Sequence, residues 1–242
     1  MHSYPGKYSV IDGIDRVGKG TLINTIIDYE TSKGKTIFDV DDYQVKHQKL
    51  PSVDDFKEYD LLILSEPTFS GIGKHIRENL IVKGSLASVE EIARAYAMDR
   101  LILFNNVIKP ALELNKNVLS SRSVCSSIAY QPLDALEKGV NYSVKDVLSL
   151  DGNINAIANA PNLLIIPVID SVIVALERSK DRGKDDDCKF EEESFLEKNL
   201  KIYKSDWLRE IFEKEGTIVQ YVDTSGTLDD SKRNILEVWF DY

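Results

Sequence analysis

Residues 11–21 read IDGIDRVGKGT, and this stretch decides the fold. An apolar run, Tyr8–Ile11, leads into it, and a helical pattern begins at Lys19. Gly13 and Gly18 allow a backbone turn that aims several amides at one point, which the positive end of the following helix also faces. Lys19 can reach β- and γ-phosphate oxygens from there. The stretch therefore predicts a phosphate-binding loop between a buried strand and a helix.

A strand-to-helix turn that merely contains glycine is the simpler alternative, and the lysine favours phosphate binding over it. The usual loop has Ser or Thr directly after the lysine, whereas this chain has Gly20 and then Thr21. The missing hydroxyl weakens direct ligation of Mg²⁺ but leaves the amides that bind phosphate.

Short apolar runs alternate with longer helical patterns along the rest of the chain. Runs of this kind, buried on both faces, are typical of parallel strands covered by helices. The apolar runs cover residues 8–11, 61–64, 118–119 with their flanks, 163–169 and 217–222. The helical patterns cover residues 19–31, 72–80, 89–114, 126–138, 172–182 and 228–240. We therefore predict an α/β fold of the P-loop NTPase type, with a doubly wound, parallel, five-stranded sheet flanked by helices.

Residues 1–242 contain no internal repeat and no low-complexity linker, so we expect a single domain. Residues 39–60 are interpreted as an acidic insertion. Residues 178–192, with mixed charge and Gly183, are interpreted as a short lid segment, although a solvated loop has the same composition. Ser88 and Glu91 form a capping-box pattern that predicts where the long helix begins, and Pro110 is expected to kink or end that helix.

Composition excludes several classes of function. The net charge of −10 makes duplex nucleic acid an unfavourable partner. Cys125 and Cys188 show no metal-ligand spacing, which fits a reduced, cytoplasmic protein better than a disulfide scaffold. The N-terminus lacks the apolar stretch of a signal peptide, and the longest charge-free run, residues 152–169, is too polar to span a membrane. We expect no membrane segment.

Polar residues follow the buried runs, at the sheet edge where open parallel sheets bind ligands. Arg122 follows the third run directly, and a guanidinium at that edge favours a phosphate or carboxylate, with a structural ion pair as the alternative. Tyr96 and Arg100 lie four residues apart and share one helix face, a spacing that suits stacking on a base and reading its edge. A core tyrosine beside a solvated arginine is the commoner outcome of that spacing.

With these pieces in order, the sequence resembles the thymidylate kinase family of P-loop nucleoside monophosphate kinases, in a form close to archaeal members. The resemblance rests on six segments: 11–21 (IDGIDRVGKGT), 65–80 (SEPTFSGIGKHIRENL), 96–100 (YAMDR), 107–113 (VIKPALE), 121–131 (SRSVCSSIAYQ) and 175–183 (ALERSKDRG). It implies transfer of the γ-phosphoryl group of ATP to a deoxynucleoside monophosphate, with dTMP as the default. It also implies ATP and Mg²⁺ as cofactors, small-molecule nucleotides as partners, and a homodimer.

The resemblance implies a donor site on the loop. Lys19 and the loop amides would bind the ATP phosphates, and Arg16 would stabilise charge on the migrating group. The implied ATP-binding residues are Gly13, Arg16, Val17, Gly18, Lys19, Gly20 and Thr21. Arg178 and Arg182 would come from the lid and share the catalytic role with Arg16 and Lys19.

The resemblance also implies an acceptor site. Tyr96 would stack on thymine, Arg100 would read its edge, and Arg122 would bind the acceptor phosphate. The implied substrate-binding residues are Asp15 near the sugar, Glu66, Phe69, Tyr96, Arg100, Arg122, Ser127 near the base, and Tyr130 beside the ribose 2′ position.

One departure bears on the metal. The family has Asp-Arg-Tyr where this chain has Ser121, Arg122 and Ser123, so Thr21 and Glu66 are the predicted Mg²⁺ ligands. Two alternatives stay open: a kinase of another or a modified nucleotide or of a nucleoside, and a degenerate nucleotide-binding regulatory protein. Retention of Arg122 favours a phosphorylated acceptor over a bare nucleoside.

Overall fold

The strands of the sheet all run parallel in a computed structural model that describes residues 4–180 and 193–240. Within that part of the chain the sheet has six strands, in the order β2-β3-β4-β1-β5-β6. Their bounds are β1 Tyr8–Ile11, β2 Ile37–Asp39, β3 Leu61–Ser65, β4 Asn117–Ser121, β5 Leu163–Val168 and β6 Ile218–Asp223. The predicted fold class is thereby confirmed.

The predicted count of five strands is wrong. The missed strand, β2, has three residues, and it pairs only with β3 at one edge of the described sheet. Such a strand carries too few residues for the long apolar run of a central strand. Its apolar signal is too short to be recognised in a sequence.

The strand register places the ends of three strands side by side. Ser121 of β4 lies opposite both Ser65 of β3 and Ile11 of β1. The next residue on each strand therefore emerges at the same edge of the sheet. Those residues are Glu66, Arg122 and Asp12, all polar, so the sheet itself assembles a charged site.

Side chains alternate between two apolar layers because successive strand residues face opposite sides. Ile11, Ile63 and Leu119 pack with α1 (Lys19–Ser32) and α13 (Leu228–Phe240). Val10, Leu62, Leu64, Val118 and Leu164 pack in the larger layer on the other face. The sheet is thus covered on both sides, as a parallel sheet requires.

The remaining helices lie between the strands along the chain. Their bounds are α2 Val40–His47, α3 Val53–Phe56, α4 Gly71–His75, α5 Val89–Leu103, α6 Lys109–Glu113, α7 Val124–Glu137, α8 Val144–Leu148, α9 Asp151–Ala158, α10 Val172–Lys180, α11 Glu193–Tyr203 and α12 Asp206–Glu213. Ser88 caps α5 through the predicted capping box, because its hydroxyl accepts from Glu91 N while the Glu91 carboxylate accepts from Ser88 N. No helix in the described ranges is long and apolar enough to cross a bilayer.

Two helical turns are wider than those of an α-helix. A π-helical turn, Phe104–Ile108, joins α5 to α6 and precedes Pro110. Proline has no N–H and its ring crowds the carbonyl four residues earlier, so the expected disturbance near Pro110 takes the form of this widened turn. A second π-helical turn, Ile76–Leu80, continues α4 and carries Arg77.

Residues 39–60 form folded structure against the sheet. They include α2 and α3, and both Val40 and Phe56 are fully buried. One polar side chain of α2 contacts the last residue of β3, and another contacts the loop that follows this strand. Asp41 accepts from the backbone N and hydroxyl of Ser65, and Gln44 accepts from the backbone N–H groups of Phe69 and Ser70. This acidic segment therefore supports one wall of the site described next.

Candidate active site

The loop predicted to bind phosphate connects β1 to α1, and the residues predicted to bind ATP lie on this loop and in the first turn of α1. Gly18 has φ of 102°, a left-handed conformation that favours glycine, although an added Cβ would meet no atom within 4 Å. Arg16 also has a positive φ of 65°. Val17 is fully buried, and its carbonyl accepts from Thr224 Oγ1 at 3.0 Å, which fixes the loop to the end of β6.

Lys19 folds back onto its own loop. Its Nζ donates to Gly13 O at 3.1 Å and to Ile14 O at 2.6 Å. Burial lowers the pKa of Lys19 to about 7, and the nearby charge of Arg122 lowers the pKa further while Asp15 opposes the change. These contacts use two of the three N–H donors of the Lys19 ammonium, and the negative charge of a bound phosphate would favour the protonated amine.

Arg122 forms an ion pair with Asp15, which was the alternative to ligand binding given for this residue from the sequence. The pair lies at the sheet edge where a ligand is expected to bind. Its Nη2 donates to Asp15 Oδ1, and its Nη1 donates to Ser126 Oγ at 2.9 Å and to Gly13 O at 3.3 Å. The guanidinium also lies 5.5 Å from the ring centroid of Tyr130. One face of Arg122 is thus fixed by the protein while the residue still lines a cavity.

Tyr130 and Asp15 are joined by two hydrogen bonds. The Tyr130 hydroxyl donates to Asp15 Oδ2 at 3.0 Å, and Asp15 N donates to the same hydroxyl oxygen at 3.1 Å. Burial raises the pKa of Asp15, but the charges of Arg122 and Lys19 outweigh it and hold this pKa below its usual value. Asp15 is therefore ionised at neutral pH, and it fixes both Arg122 and the tyrosine ring.

Arg100 is buried, so the alternative of a solvated arginine on this helix is wrong. Arg100 and Glu66 are 3% and 4% exposed, and Nε of the first donates to Oε2 of the second at 2.7 Å. The guanidinium also donates to Ser127 Oγ at 3.0 Å and to Asn153 Oδ1. Burial raises the pKa of Glu66 to about 7, although Arg100 opposes the rise. This network forms the inner end of the site.

These groups surround one cavity of about 290 Å³ at the carboxyl ends of β3 and β4. The volume suits a small organic ligand. All eight residues predicted to bind the acceptor line it: Asp15, Glu66, Phe69, Tyr96, Arg100, Arg122, Ser127 and Tyr130. The structure brings these eight residues together, and their roles toward a ligand stay predictions.

Sequence reasoning missed three side chains of this region as site residues. Arg77 and Gln131 both line the cavity. Asp12 is fully buried behind it and accepts from Ser123 N, Ser126 N and the Tyr203 hydroxyl. Asp12 could have been predicted as a site residue, because it directly follows β1. No spacing in the sequence relates Arg77 to the other cavity residues, because its approach depends on the path of the chain after β3.

The assignment of Thr21 and Glu66 as Mg²⁺ ligands stays a prediction, and the contacts of Glu66 bear on it. Glu66 is 4% exposed and its Oε2 pairs with Arg100, so a metal would compete with a buried ion pair. Thr21 contributes one hydroxyl at most. No group of three or more His, Cys, Asp or Glu side chains in the described ranges could hold a metal ion. The donor set fits a metal that arrives on a nucleotide better than one resident in the protein.

The predicted lid falls largely outside the described residues. The side chain of Arg178 and the whole of Arg182 lie outside them, as do residues 181–192. α10 ends before this segment at Lys180, and α11 begins after it at Glu193.

Comparisons with known proteins agree on one family. The sequence profile described as thymidylate kinase matches residues 52–235. A probable thymidylate kinase from Pyrococcus abyssi is 31% identical over 185 residues, which cover 74% of this chain and 72% of that protein. A thymidylate kinase from Sulfurihydrogenibium is 29% identical over 187 residues, covering 76% of this chain and 78% of the relative.

A solved structure supports the fold. The thymidylate kinase from Candida albicans superposes with a TM-score of 0.63 at 18% identity, covering 98% of this chain and 92% of that one. At this identity the likeness concerns the arrangement of strands and helices alone.

Proposed function

Because this chain belongs to the thymidylate kinase family of phosphotransferases, we propose that it transfers the γ-phosphoryl group of ATP to dTMP. One observation carries the proposal for this chain's own residues. Gly13 O accepts from Lys19 Nζ at 3.1 Å and from Arg122 Nη1 at 3.3 Å. The cation assigned to the donor phosphates and the cation assigned to the acceptor phosphate therefore meet at one carbonyl. Two phosphates bound by these cations would be neighbours, as phosphoryl transfer requires.

On the donor side, we assign the ATP phosphates to the loop amides and to Lys19. The left-handed turn at Gly18 and the start of α1 at Lys19 support this assignment, because they direct backbone N–H groups toward an anion. Arg16, in its own left-handed conformation, is assigned to the migrating phosphoryl group. We retain Arg178 and Arg182 as lid residues that would neutralise charge on the same group.

On the acceptor side, we assign the cavity to dTMP. Tyr96 would stack on the thymine ring, and the buried Arg100 and Ser127 would face its edge. Arg122 would bind the 5′-phosphate. Tyr130, held by Asp15, would crowd the ribose 2′ position and so favour the deoxy sugar.

The reaction needs positioning and charge neutralisation more than it needs a base. An oxygen of the acceptor phosphate attacks the γ-phosphorus in line and forms the new O–P bond. The bond from that phosphorus to the bridging oxygen breaks, and ADP leaves with the electron pair. A phosphate dianion carries no proton on the attacking oxygen, so no residue has to remove one. The products are dTDP and ADP.

We propose that Mg²⁺ enters with ATP rather than as a resident ion. Gly20 lacks the usual hydroxyl, Ser121 lacks the usual carboxylate, and Glu66 is committed to Arg100. Mg²⁺ would neutralise charge on the nucleotide phosphates, with Thr21 as a nearby hydroxyl. The protein residues would bind and orient the resulting complex.

We further propose that residues 1–242 act as one kinase domain and as a homodimer. Burial of Val40 and Phe56 supports inclusion of residues 39–60 in the domain. The exposed apolar side chains Met98 and Ile102 on α5, which are 49% and 37% exposed, support a contact between long helices.

A coupled assay of ADP release tests the proposed function. The protein is supplied with MgATP and, in turn, each deoxynucleoside and ribonucleoside monophosphate and thymidine. Highest kcat/KM for dTMP is the expected result. A higher value for another acceptor would replace dTMP with that acceptor. Absence of transfer to every monophosphate, with ATP binding retained in calorimetry, would instead support a nucleotide-binding regulatory protein.

A further inference from the structure

Asn153 contacts the inner end of the cavity from α9, and none of the assignments above gives it a role. The sequence analysis predicts no site residue on this helix. The Asn153 side chain is fully buried, and its Oδ1 accepts from Nη1 of Arg100, which is buried as well. Burial of an amide and a guanidinium is unfavourable unless their hydrogen bonds are satisfied, so the partners of both groups matter.

The orientation of the Asn153 amide is fixed from its other end. Its Nδ2 donates to Val147 O at 2.7 Å. A carbonyl oxygen only accepts hydrogen bonds, so the amide nitrogen has to face Val147 and the amide oxygen has to face Arg100. Asn153 therefore presents Arg100 with an acceptor.

Close contact between two helices places Asn153 beside Arg100. Gly152 lies so near α5 that an added Cβ would sit 1.8 Å from Ala97 O. Ala97 precedes Arg100 by three residues, which is nearly one turn of α5. The backbone of α9 thus lies against the turn that leads to Arg100, and Asn153 follows Gly152 directly.

Most of the N–H donors of Arg100 are used within the protein. A guanidinium group has five of them. Nε donates to Glu66 and Nη1 donates to Asn153. Nη2 donates to Ser127 Oγ at 3.0 Å and to Ser123 O at 3.2 Å. Four donors therefore have acceptors among the described residues, and one N–H of Nη1 is left for a ligand in the cavity that Arg100 lines.

Arginine has donors and no acceptor, so the atom of a base that meets the remaining N–H has to be an acceptor. The 4-carbonyl oxygen of thymine or uracil is an acceptor, whereas the 4-amino group of cytosine is a donor. We propose that Asn153 is a positioning residue for base selection, which holds Nη1 of Arg100 so that one fixed donor favours a 4-oxo over a 4-amino pyrimidine. The inference rests on the proposed function, since it takes a pyrimidine nucleotide as the occupant of the cavity.

Removal of the Asn153 carbonyl changes what Arg100 presents to a base. One buried N–H loses its acceptor, which is unfavourable, and the guanidinium is then free to turn about its bond to Glu66. Its donors are no longer fixed relative to the base. A 4-amino group then meets less repulsion, so discrimination against cytosine falls.

Calorimetry of the intact chain with dTMP, dUMP and dCMP, without ATP, tests the proposal. The readout is the ratio of the dCMP Kd to the dTMP Kd. Leucine has nearly the branched shape of asparagine but no hydrogen-bonding group, and we expect this ratio to fall by about 5- to 20-fold in Asn153→Leu. The ratio of the dUMP Kd to the dTMP Kd should stay unchanged, because both bases carry the 4-carbonyl and differ only at the 5-methyl group.

Asn155→Leu is the matched control, since Asn155 lies on the same helix and its Oδ1 accepts from Asn159 Nδ2 at 3.3 Å. Both of its ratios should equal those of the parent. Asn153→Asp keeps an oxygen for Arg100 but loses the donor to Val147 O, so its dCMP ratio should lie between those of the parent and Asn153→Leu. Asn153→Ser, whose side chain is one atom shorter, replaces the leucine variant if that variant does not fold, with the same expected fall.

An unchanged dCMP ratio in Asn153→Leu overturns the proposal, as does a parent that binds dCMP and dTMP equally well. Equal falls in the dCMP and dUMP ratios also overturn it. They would show that the variant loosens the whole cavity, and that Asn153 serves only to pack α9 on α5.

Turnover with MgATP separates the two levels of inference. If the parent selects dTMP over dCMP through Asn153 but transfers no phosphoryl group, the proposed function fails and the role of Asn153 stands. If the parent phosphorylates dTMP and Asn153→Leu leaves the dCMP ratio intact, only the role of Asn153 fails.

Discussion

The cavity at the carboxyl ends of β3 and β4 pairs its arginines with residues far away in the sequence, whereas the loop between β1 and α1 holds its lysine on carbonyls of the loop itself. Arg100 and Glu66 are 34 residues apart, and Arg122 and Asp15 are 107 apart. Lys19, in contrast, donates to carbonyls only five and six residues before it. The cavity is therefore a product of the whole fold, and the loop conformation is largely a local one.

This difference has an energetic consequence. Loss of one partner in the cavity leaves a charge in a place from which water is excluded, and the folded state loses stability. Loss of the Lys19 amine removes only contacts to two carbonyls, and it affects the chemistry far more than the fold. Loss of an ion-pair partner in the cavity should thus have a large effect on the free energy of unfolding. Loss of the Lys19 amine should have a large effect on activity and a small effect on the free energy of unfolding.

The largest effect on stability is expected from Glu66→Ala. It leaves the Arg100 guanidinium buried without its carboxylate, which costs about 3–5 kcal/mol in free energy of unfolding. Urea denaturation of the parent and the variant measures the difference. Glu90→Ala is the control, because the exposed Glu90–Arg94 pair should contribute less than about 1 kcal/mol. Equal losses in the two variants would mean that the cavity is not coupled to the fold.

Lys19→Met should show the opposite pattern. We expect its kcat to fall by about 10²–10³-fold, since a fixed cation on the transferring phosphates is lost. Its free energy of unfolding should stay within about 0.5 kcal/mol of the parent. Steady-state kinetics and urea denaturation on one preparation test both parts. A large loss of stability would show that the loop depends on Lys19 for its conformation, and the contrast between the regions would disappear.

Gln44→Ala tests the contrast between the cavity and the loop with a residue outside the cavity, because Gln44 supports one of the cavity walls. The Gln44 side chain is fully buried, and its Oε1 accepts from Phe69 N, Ser70 N and Ser70 Oγ. Loss of this acceptor leaves buried N–H groups unpaired and should cost about 1–3 kcal/mol in free energy of unfolding. KM for dTMP should rise more than kcat falls. Lys46→Ala, on the exposed side of α2, serves as the control and should change neither quantity.

A smaller, pH-dependent effect is expected at Asp41. Burial raises the pKa of this carboxyl to about 6, while hydrogen bonds from Ser65 oppose the rise. The folded state then binds the proton more tightly than the unfolded state, so the contribution to stability is present at low pH and is lost as pH rises through 6. Between pH 5 and pH 8 the loss should be about 1.4 kcal/mol.

Asp41→Asn isolates this contribution because asparagine does not titrate. Urea denaturation at pH 5 and pH 8 should show that the variant loses less stability than the parent over this interval. Asp42→Asn, at an exposed neighbouring position, should follow the parent. Parallel pH profiles for all three proteins would show that Asp41 has an ordinary pKa.

Sequence patterns identified the features that depend on neighbouring residues or on strand ends. The strand, glycine turn and helix around Lys19 were predicted together, as was the capping box of Ser88 and Glu91. Residues after β3 and β4 were expected at one edge, and the register of Ser65 and Ser121 places them there. These features could be predicted because parallel strands always present their carboxyl ends to the same edge.

Other features of the fold and of the site could not be recognised from a pattern in the sequence. The three residues of β2 are too few to distinguish a strand from a loop, and the burial of Arg100 contradicts the usual preference of arginine for solvent. Arg77 and Gln44 belong to two different helical segments, and both form hydrogen bonds with the loop after β3. Their contacts with it depend on how α2 and the turn after α4 pack on the sheet.

The sequence by itself determined the α/β fold, the phosphate-binding loop and the family, because each follows from short segments whose geometry is set within a few residues. Only the tertiary structure decided which carboxylate pairs with which arginine, namely Glu66 with Arg100 and Asp15 with Arg122. The physical reason is that charge pairing in a buried cavity depends on distances between strands and helices far apart in the chain. Those distances are fixed by the strand order and by helix packing, which no local pattern encodes.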